Sequence, residues 1–142
     1  MHSPALRLPA EWEPQSAVLL AWPHAGTDGA ARRDAGTSTG VALIAAITRF
    51  ETAIVCTPDA EIGAHAAECL RDAGADLSRV RFVEIPYDDT WLRDSGPIML
   101  RDGGDRRVLL DFRFTGWGGK FEASQDDALV AGLIERGVFR RG

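Results

Sequence analysis

A ten-residue segment, residues 88–97, carries the residue types and spacings best suited to chemistry. It reads Asp-Asp-Thr-Trp-Leu-Arg-Asp-Ser-Gly-Pro, and it places three carboxylates, a guanidinium and an indole between the apolar runs 80–85 and 98–100. Loops held between strands are where rigid scaffolds usually present their functional groups. Trp91 lies three residues before Asp94. This pair suits a planar cation, because a carboxylate accepts two parallel N–H bonds from a guanidinium while an indole stacks on its face.

Purely structural roles remain open for the same side chains. Trp91 could be a core anchor with a hydrogen-bonded indole, and Arg93 could pair with either of the acids Asp88 and Asp89. In a regular strand, residues 91 and 94 point to opposite faces, so a shared ligand requires the backbone to turn between them. The Gly-Pro pair that follows at once favours such irregular backbone.

Composition narrows the classes of function. The chain has 142 residues, the length of one ordinary domain, and its 45% hydrophobic and 26% charged residues are typical of soluble globular proteins. The net charge of −5 and the absence of basic clusters larger than arginine pairs argue against a nucleic-acid partner. No apolar run reaches the roughly 18–20 residues that cross a bilayer, and the N-terminus does not read as a signal peptide. We therefore expect no membrane partner and a cytoplasmic location.

The cysteines and histidines do not form a recognisable catalytic or metal-binding set. Cys56 closes an apolar run and Cys69 falls on the apolar stripe of a predicted helix, so both are interpreted as packing residues. His65 is expected on a helix surface, and His24, after Trp-Pro, is expected to stabilise a turn. No group of potential ligands has metal-site spacing, and no glycine-rich loop has phosphate-binding form. The sequence predicts neither a metal nor a cofactor.

Hydrophobic periodicity predicts alternating strands and helices. We predict strands at 16–22, 52–56 and 80–85, a loop at 25–39, helices at 41–50 and 124–136, and a hairpin of 98–101 with 106–112. Between the second and third strands, Thr57 as N-cap, Pro58 as first helical residue and Gly74 as stop signal predict another helix. This order is mixed α/β.

Four motifs follow one another along most of the chain. They are Leu-Pro-Ala-Glu-Trp-Glu-Pro at 8–14, Leu-Ala-Trp-Pro-His at 20–24, Trp-Leu-Arg-Asp-Ser-Gly-Pro at 91–97 and Phe-Thr-Gly-Trp-Gly-Gly-Lys at 114–120. Together they resemble, in the same order, motifs of the agmatine deiminase and bacterial peptidylarginine deiminase family. The third resembles its Trp-x-Arg-Asp-x-Gly-Pro signature. The fourth departs from its Phe-Asn-x-Trp-Gly-Gly-Lys stretch in having Thr115 where Asn is usual.

The resemblance implies a fold and the share of that fold that this chain comprises. The family folds as a fan of five ββαβ units around a pseudo-fivefold axis, the pentein-type α/β-propeller, and its members are much longer than this chain. Residues 1–142 are thus expected to be a truncated N-terminal part of one such domain, about two of the five units. A natural chain end is the alternative. The helix at 124–136 and a strand starting at Val138 are expected to border the missing unit, which predicts a homo-oligomer or a missing C-terminal portion as partner.

The resemblance also implies a reaction. In this family a cysteine thiolate attacks the guanidinium carbon, ammonia leaves, and water cleaves the thiouronium intermediate to a ureido product while a histidine moves protons. Asp94 matches the guanidinium-binding aspartate, and is the catalytic and substrate-binding candidate. Trp91 matches the aromatic wall, while Asp88 and Asp89 are weaker candidates for the pocket mouth. The family's catalytic cysteine and histidine lie in later segments that this sequence does not contain.

The implied substrate is a small guanidino compound. The first expectation is agmatine, hydrolysed to N-carbamoylputrescine and ammonia, with this chain alone inactive. The alternatives are a peptidylarginine deiminase, a split enzyme completed by another chain, and a non-catalytic module that binds a guanidinium group or a partner.

Overall fold

A three-stranded parallel sheet organises the chain in the computed structural model, which describes residues 5–27, 33–104 and 106–139. Its strands are β1 (Ala17–Ala21), β2 (Thr52–Thr57) and β3 (Val80–Glu84), in the spatial order β1-β2-β3. The register places residue 17 opposite residue 52, and residue 53 opposite residue 80. The three predicted strands are confirmed. The apolar run at 16–22 is typical of a buried strand, but β1 is only half-buried along its length because it is an outer strand of this sheet.

Helices provide the crossovers that parallel strands require. Helix α1 (Arg33–Ile47) joins β1 to β2, so the prediction of a loop as far as residue 39 was wrong from residue 33 onward, and residues 28–32 lie outside the described ranges. The Gly- and Thr-rich first half of α1 has low helix propensity. Packing of the buried Ile44 against the sheet stabilises the helix despite that local preference.

Helix α2 (Ala60–Asp72) joins β2 to β3 and begins later than predicted. Asp59 is the N-cap, because its Oδ1 accepts a hydrogen bond from the backbone N–H of Ile62 at 2.8 Å. Thr57, the predicted cap, remains in β2 opposite Glu84. The stop was predicted correctly, since Gly74 has a positive φ of 73° just after the helix.

Both faces of the sheet are covered by apolar side chains. The cluster against α1 and α2 consists of Trp22, Ile44, Ala53, Val55, Ala66 and Leu70. The opposite cluster packs against α5 (Ser124–Glu135) and consists of Cys56, Val83, Ile85, Tyr87, Leu129 and Leu133. The helix predicted at 124–136 is therefore confirmed, and its apolar face is buried in this chain. Val138 and Phe139 pack against the same cluster and do not start the predicted strand.

The remaining elements are short. The predicted hairpin is formed by β4 (Ile98–Arg101) and β5 (Arg107–Leu110), which pair antiparallel. Helix α3 (Leu92–Ser95) and the single turn α4 (Gly116–Gly119) flank the hairpin in sequence. None of the helices in the described ranges is long and apolar enough to span a membrane.

Candidate functional site

An acidic and aromatic cleft of about 600 Å³ lies where segments following β1 and β3 meet the start of α5. It is lined by Gly26, Asp88, Asp89, Trp91, Asp94, Phe114, Trp117, Lys120, Phe121, Glu122 and Asp126. All the site residues predicted from the sequence line this one cleft. Its position beyond the carboxyl ends of parallel strands is the usual place for a binding site in an α/β sheet.

Trp91 and Asp94 reach the cleft from the same side because the backbone turns between them. Trp91 precedes the single turn of α3, and its carbonyl oxygen accepts a hydrogen bond from the N–H of Asp94 at 3.0 Å. Residues three apart on a helical turn lie on one face. The turn ends at Gly96, where a Cβ atom would collide with the carbonyl oxygen of Leu92. In a strand, residues 91 and 94 would point to opposite faces. In this helical turn they share a face, so both can contact one ligand.

Trp91 is not a core anchor in this chain. Its side chain is 49% exposed, and the edge of its ring meets Trp117, with 6.3 Å between ring centroids and 83° between ring planes. Asp94 is also exposed to the cleft. One π surface and one carboxylate are therefore accessible together to a cation that enters the cleft.

Arg93 and Asp88 have partners other than those expected. Arg93 does not line the cleft, and its guanidinium lies 3.9 Å from the carboxylate of Glu11. The Oδ2 atom of Asp88 accepts hydrogen bonds from the backbone N–H groups of Gln125 at 2.8 Å and Asp126 at 3.2 Å. Asp88 thus caps the start of α5, so the alternative that it pairs with Arg93 was wrong.

Asp89 and Asp126 lie against each other at the base of the same segment. The Oδ1 atom of Asp89 accepts from the N–H of Thr90 at 2.7 Å. Asp126 is only 3% exposed, and its Oδ1 accepts from the N–H groups of Asp88 at 2.8 Å and Asp89 at 3.2 Å. Burial raises the pKa of Asp126, the two N–H bonds oppose that rise, and the nearby carboxylates of Asp88 and Asp89 add to it.

Sequence reasoning missed Asp126. An acidic residue in the first turn of a helix is common because it complements the helix dipole, so its sequence position alone did not distinguish it. The partners that give it a special place in the structure lie 37 and 38 residues earlier. No local pattern could have revealed them.

An unusual backbone turn presents the second aromatic side of the cleft. Trp117 has φ 56° and ψ 51°, and it is the only non-glycine with positive φ among the described residues. Gly116, with φ 58°, cannot be replaced easily, because a Cβ there would collide with the carbonyl oxygen of Phe121. Thr115 supports the turn through its Oγ1, which accepts from the N–H of Gly118 at 3.2 Å.

This turn places Trp117 at the centre of an aromatic cluster. Its ring meets Phe114 at 5.1 Å and Phe121 at 5.8 Å between centroids, both edge to face, in addition to Trp91. The ammonium of Lys120 lies 5.1 Å from the centre of the Phe121 ring. The motif at 114–120 was recognised in the sequence, but no role was assigned to Trp117.

Neither cysteine lines the cleft. Cys56 is fully buried, and burial raises the pKa of its thiol to about 12 although Arg136 lowers it, so it stays protonated at physiological pH. The Sγ atom of Cys69 lies 3.6 Å from the Nε2 atom of His65 on α2. His24 supports the turn after β1, since its Nδ1 accepts from the N–H of Gly26 at 3.0 Å.

The fold is that of known deiminases. An agmatine deiminase from C. jejuni, solved as the C315S variant with substrate bound, superimposes with a TM-score of 0.84 at 24% identity, over 97% of this chain and 39% of its own. That likeness concerns the fold alone. The agmatine deiminase of Enterococcus faecalis superimposes with a TM-score of 0.71 at 26% identity, over 94% of this chain and 36% of its own. The predicted fold class, part of a pentein-type α/β-propeller, is confirmed.

The sequence comparisons define the family. The family model described as Porphyromonas-type peptidyl-arginine deiminase matches residues 7–140, and the chain belongs to this family. An agmatine deiminase from Stutzerimonas stutzeri is 36% identical over 136 residues, which is 90% of this chain and 34% of that protein. One from Pseudomonas aeruginosa is 35% identical over 135 residues, 91% of this chain and 35% of that protein. The chain thus spans about a third of the length of these relatives.

Proposed function

We propose that this chain forms the guanidinium-binding side of a deiminase that acts on a small guanidino compound, agmatine before peptidyl-arginine. The observation that carries the proposal is the placement of Trp91 and Asp94 on one face of a single turn, open to the cleft. A guanidinium ion is flat and carries N–H groups in its plane. Asp94 accepts from those N–H groups while the indole of Trp91 covers one of its faces.

The charge balance of the cleft favours a cation with two positive groups. Apart from the buried Asp126, four carboxylates line the cleft among the described residues, against the single ammonium of Lys120. A cleft lined mainly by one sign of charge concentrates ligands of the other sign. Agmatine carries an ammonium in addition to its guanidinium, whereas the tail of a peptidyl-arginine is neutral peptide backbone. The names of the curated relatives point the same way.

In the proposed reaction, one set of groups binds the guanidinium and another set breaks the C–N bond. Asp94 holds the guanidinium in one orientation and stabilises its positive charge while a thiolate adds to the central carbon, ammonia leaves, and water releases the ureido product. Neither a thiol nor an imidazole is among the residues that line the cleft. We therefore assign the binding step to this chain, and we expect the nucleophile and the proton-transfer group to be supplied from another segment of polypeptide.

Binding of matched ligands tests this assignment directly. Agmatine and guanidinium chloride should change the tryptophan fluorescence of the chain, and N-carbamoylputrescine, which lacks the guanidinium, should bind much more weakly. Asp94→Asn should lower agmatine affinity. Because Asp94 is exposed to solvent, the loss should be smaller than the roughly 2–4 kcal/mol that follows when one partner of a desolvated charge pair is removed. Asp111→Asn, an exposed acid that does not line the cleft, is the control. Equal affinity of wild type and Asp94→Asn would exclude Asp94 as the guanidinium ligand.

A non-catalytic binding module is the second candidate, since the groups suited to binding a guanidinium, Trp91 and Asp94, are together at the cleft. Such a module would bind guanidinium groups but would release no ammonia under any conditions of assembly. The protein isolated from its native cells separates the two functions, through ammonia release from agmatine together with the intact mass of every polypeptide present. Ammonia release that persists in preparations containing only the 142-residue chain would contradict both assignments.

A further inference from the structure

Two consecutive acids at the start of α5 bind opposite sides of the cleft. Asp126 Oδ1 accepts from the N–H groups of Asp88 at 2.8 Å and Asp89 at 3.2 Å. Asp127 Oδ1 accepts from the N–H of Phe114 at 2.6 Å. We call residues 88–94 the carboxylate wall and residues 114–121 the aromatic wall, since they carry Asp94 and Trp117 respectively. One turn of helix is thus hydrogen-bonded to both walls.

The bond to the carboxylate wall is reciprocal. While Asp126 accepts from Asp88 and Asp89, Asp88 Oδ2 accepts from the N–H groups of Gln125 and Asp126. The N–H groups at the start of a helix have no partner within the helix, so Asp88 satisfies groups that would otherwise require water. The resulting ring of hydrogen bonds fixes residues 88 and 89 against α5, and α3 follows three residues later.

The aromatic wall has a single described attachment of this kind to the helix. Asp127 is half-buried, and its bond to Phe114 joins residues 13 apart. Phe114 in turn packs against Trp117, whose ring forms an edge-to-face contact with Trp91 across the cleft, with 6.3 Å between centroids. The separation of the two walls therefore depends on where these two carboxylates lie.

We infer that Asp126 and Asp127 are positioning residues, and that the first turn of α5 is a bracket that sets the distance between the guanidinium-binding carboxylate wall and the aromatic wall. Neither acid is the ligand for the guanidinium, and each acts through the backbone of the wall that it binds. The ligand side of this inference rests on the proposed function. The bracket itself is a property of the fold and can be tested without any ligand.

The bracket requires an acceptor atom at a fixed place, not a negative charge. Asp126→Asn keeps a side-chain oxygen at the Oδ1 position and should preserve the position of the carboxylate wall and the affinity for agmatine. Asp126→Glu keeps the charge but moves the oxygen by one methylene, and it should misplace the carboxylate wall. If Asp126 instead served as a charge that attracts the ligand, Asn would lose agmatine affinity and Glu would keep it.

Amide hydrogen exchange measured by NMR reports on each wall separately. Asp126→Ala should speed exchange about tenfold or more at the amides of Asp88 and Asp89 and leave that of Phe114 unchanged, since exchange follows local opening. Asp127→Ala should speed exchange at the amide of Phe114 and leave the exchange of Asp88 and Asp89 unchanged. Glu135→Ala, at the far end of the same helix, should affect neither wall.

A spectroscopic and a binding readout complete the test. The Trp91–Trp117 pair should give a circular-dichroism couplet that weakens in both alanine variants, and agmatine affinity should fall about tenfold in them and return in Asp126→Asn. Unchanged exchange at residues 88 and 89 in a folded Asp126→Ala protein would overturn the bracket. If Asp126→Ala does not fold, Asp126→Asn is compared with Asp126→Glu instead. Only the bracket predicts that Asp126→Asn preserves the amide exchange rates, the circular-dichroism couplet and the agmatine affinity while Asp126→Glu does not. Absence of agmatine binding in the wild type would instead reject the proposed function, and the exchange data alone would then decide on the bracket.

Discussion

The hydroxyl of Tyr87 donates a hydrogen bond to the carbonyl oxygen of Trp22 at 2.5 Å, and a longer one of 3.3 Å reaches the carbonyl oxygen of Cys56. Trp22 directly follows β1, Cys56 is the penultimate residue of β2, and Tyr87 lies three residues after β3, all at the carboxyl edge of the sheet. Burial raises the pKa of Tyr87 above its ordinary range, so the hydroxyl remains a donor at all working pH values. One side chain thus connects the ends of all three strands directly before the residues that enter the cleft.

Tyr87→Phe should lower the free energy of unfolding by about 1–3 kcal/mol, because it leaves a buried carbonyl oxygen without its donor. Urea denaturation followed by far-ultraviolet circular dichroism measures the change. Trp12→Phe, at a residue that is 88% exposed, is the control and should be neutral. Full stability in Tyr87→Phe would mean that water or another donor replaces the hydroxyl.

Trp91 should matter for binding and little for stability. Trp91→Ala should weaken agmatine binding by about 1 kcal/mol, the value for a cation–π contact at a partly exposed site, while Trp91→Phe should keep most of the affinity. Because the side chain is 49% exposed, neither variant should lower the melting temperature by more than a few degrees. A loss of several kcal/mol of stability with unchanged affinity would restore the role of core anchor.

The buried carboxyl of Asp126 gives stability a defined dependence on pH. Its folded-state pKa is raised above the ordinary value of 3.8, so the folded chain binds the proton more tightly than the unfolded chain. This contribution is fully favourable below about pH 3.8 and is lost as the pH rises through the folded-state pKa. Asp126→Asn should therefore gain stability relative to wild type on going from pH 3 to pH 7. Urea melts across this range test the sign, with Asp88 and Asp89 kept intact because their charges face the same carboxyl.

The two cysteines should differ sharply in reactivity. Only the thiolate is nucleophilic, and the pKa of about 12 keeps fully buried Cys56 protonated and inaccessible in the folded state. Half-buried Cys69 should be alkylated by iodoacetamide at pH 8 within minutes, whereas Cys56 should react only after denaturant is added. Mass spectrometry of the peptides distinguishes them, and rapid labelling of Cys56 would reopen its exclusion as a nucleophile.

Self-association remains a prediction, although its expected surface has changed. The apolar face of α5 is buried, but large side chains elsewhere are exposed, at 88% for Trp12, 77% for Phe50 and 67% for Leu8. Each of these side chains exposes apolar area that a second copy of the chain could cover. Sedimentation velocity should show species above 15.4 kDa that decrease in a Trp12→Ser, Phe50→Ser variant. A monomer at all concentrations would contradict this.

Local patterns predicted those elements whose apolar periodicity and turn residues agree with the environment that folding gives them. Strands β2 and β3, the hairpin and α5 follow from apolar periodicity and turn residues, and the chemical pairing of Trp91 with Asp94 follows from their types. The early start of α1 could not be predicted from such patterns, because packing against the sheet overrides the weak helix propensity of its first residues. The roles of Asp126 and Asp127 depend on partners brought close only by folding, and the conformation of Trp117 is one that an L-residue rarely adopts.

The turn that carries Trp117 has a consequence for chirality. From Gly116 to Gly119 the backbone is left-handed at every residue, with φ between 56° and 81°. This is the mirror image of an ordinary helical turn. The glycines adopt it at no steric cost, whereas an L-residue there is disfavoured by about 1–2 kcal/mol. The steric cost of this turn is therefore concentrated on Trp117, whose ring closes the cleft. With alanine at position 117, where no ring contact is at stake, a chain assembled by chemical ligation with D-alanine should be more stable than one with L-alanine, because the D-residue adopts this turn without that cost.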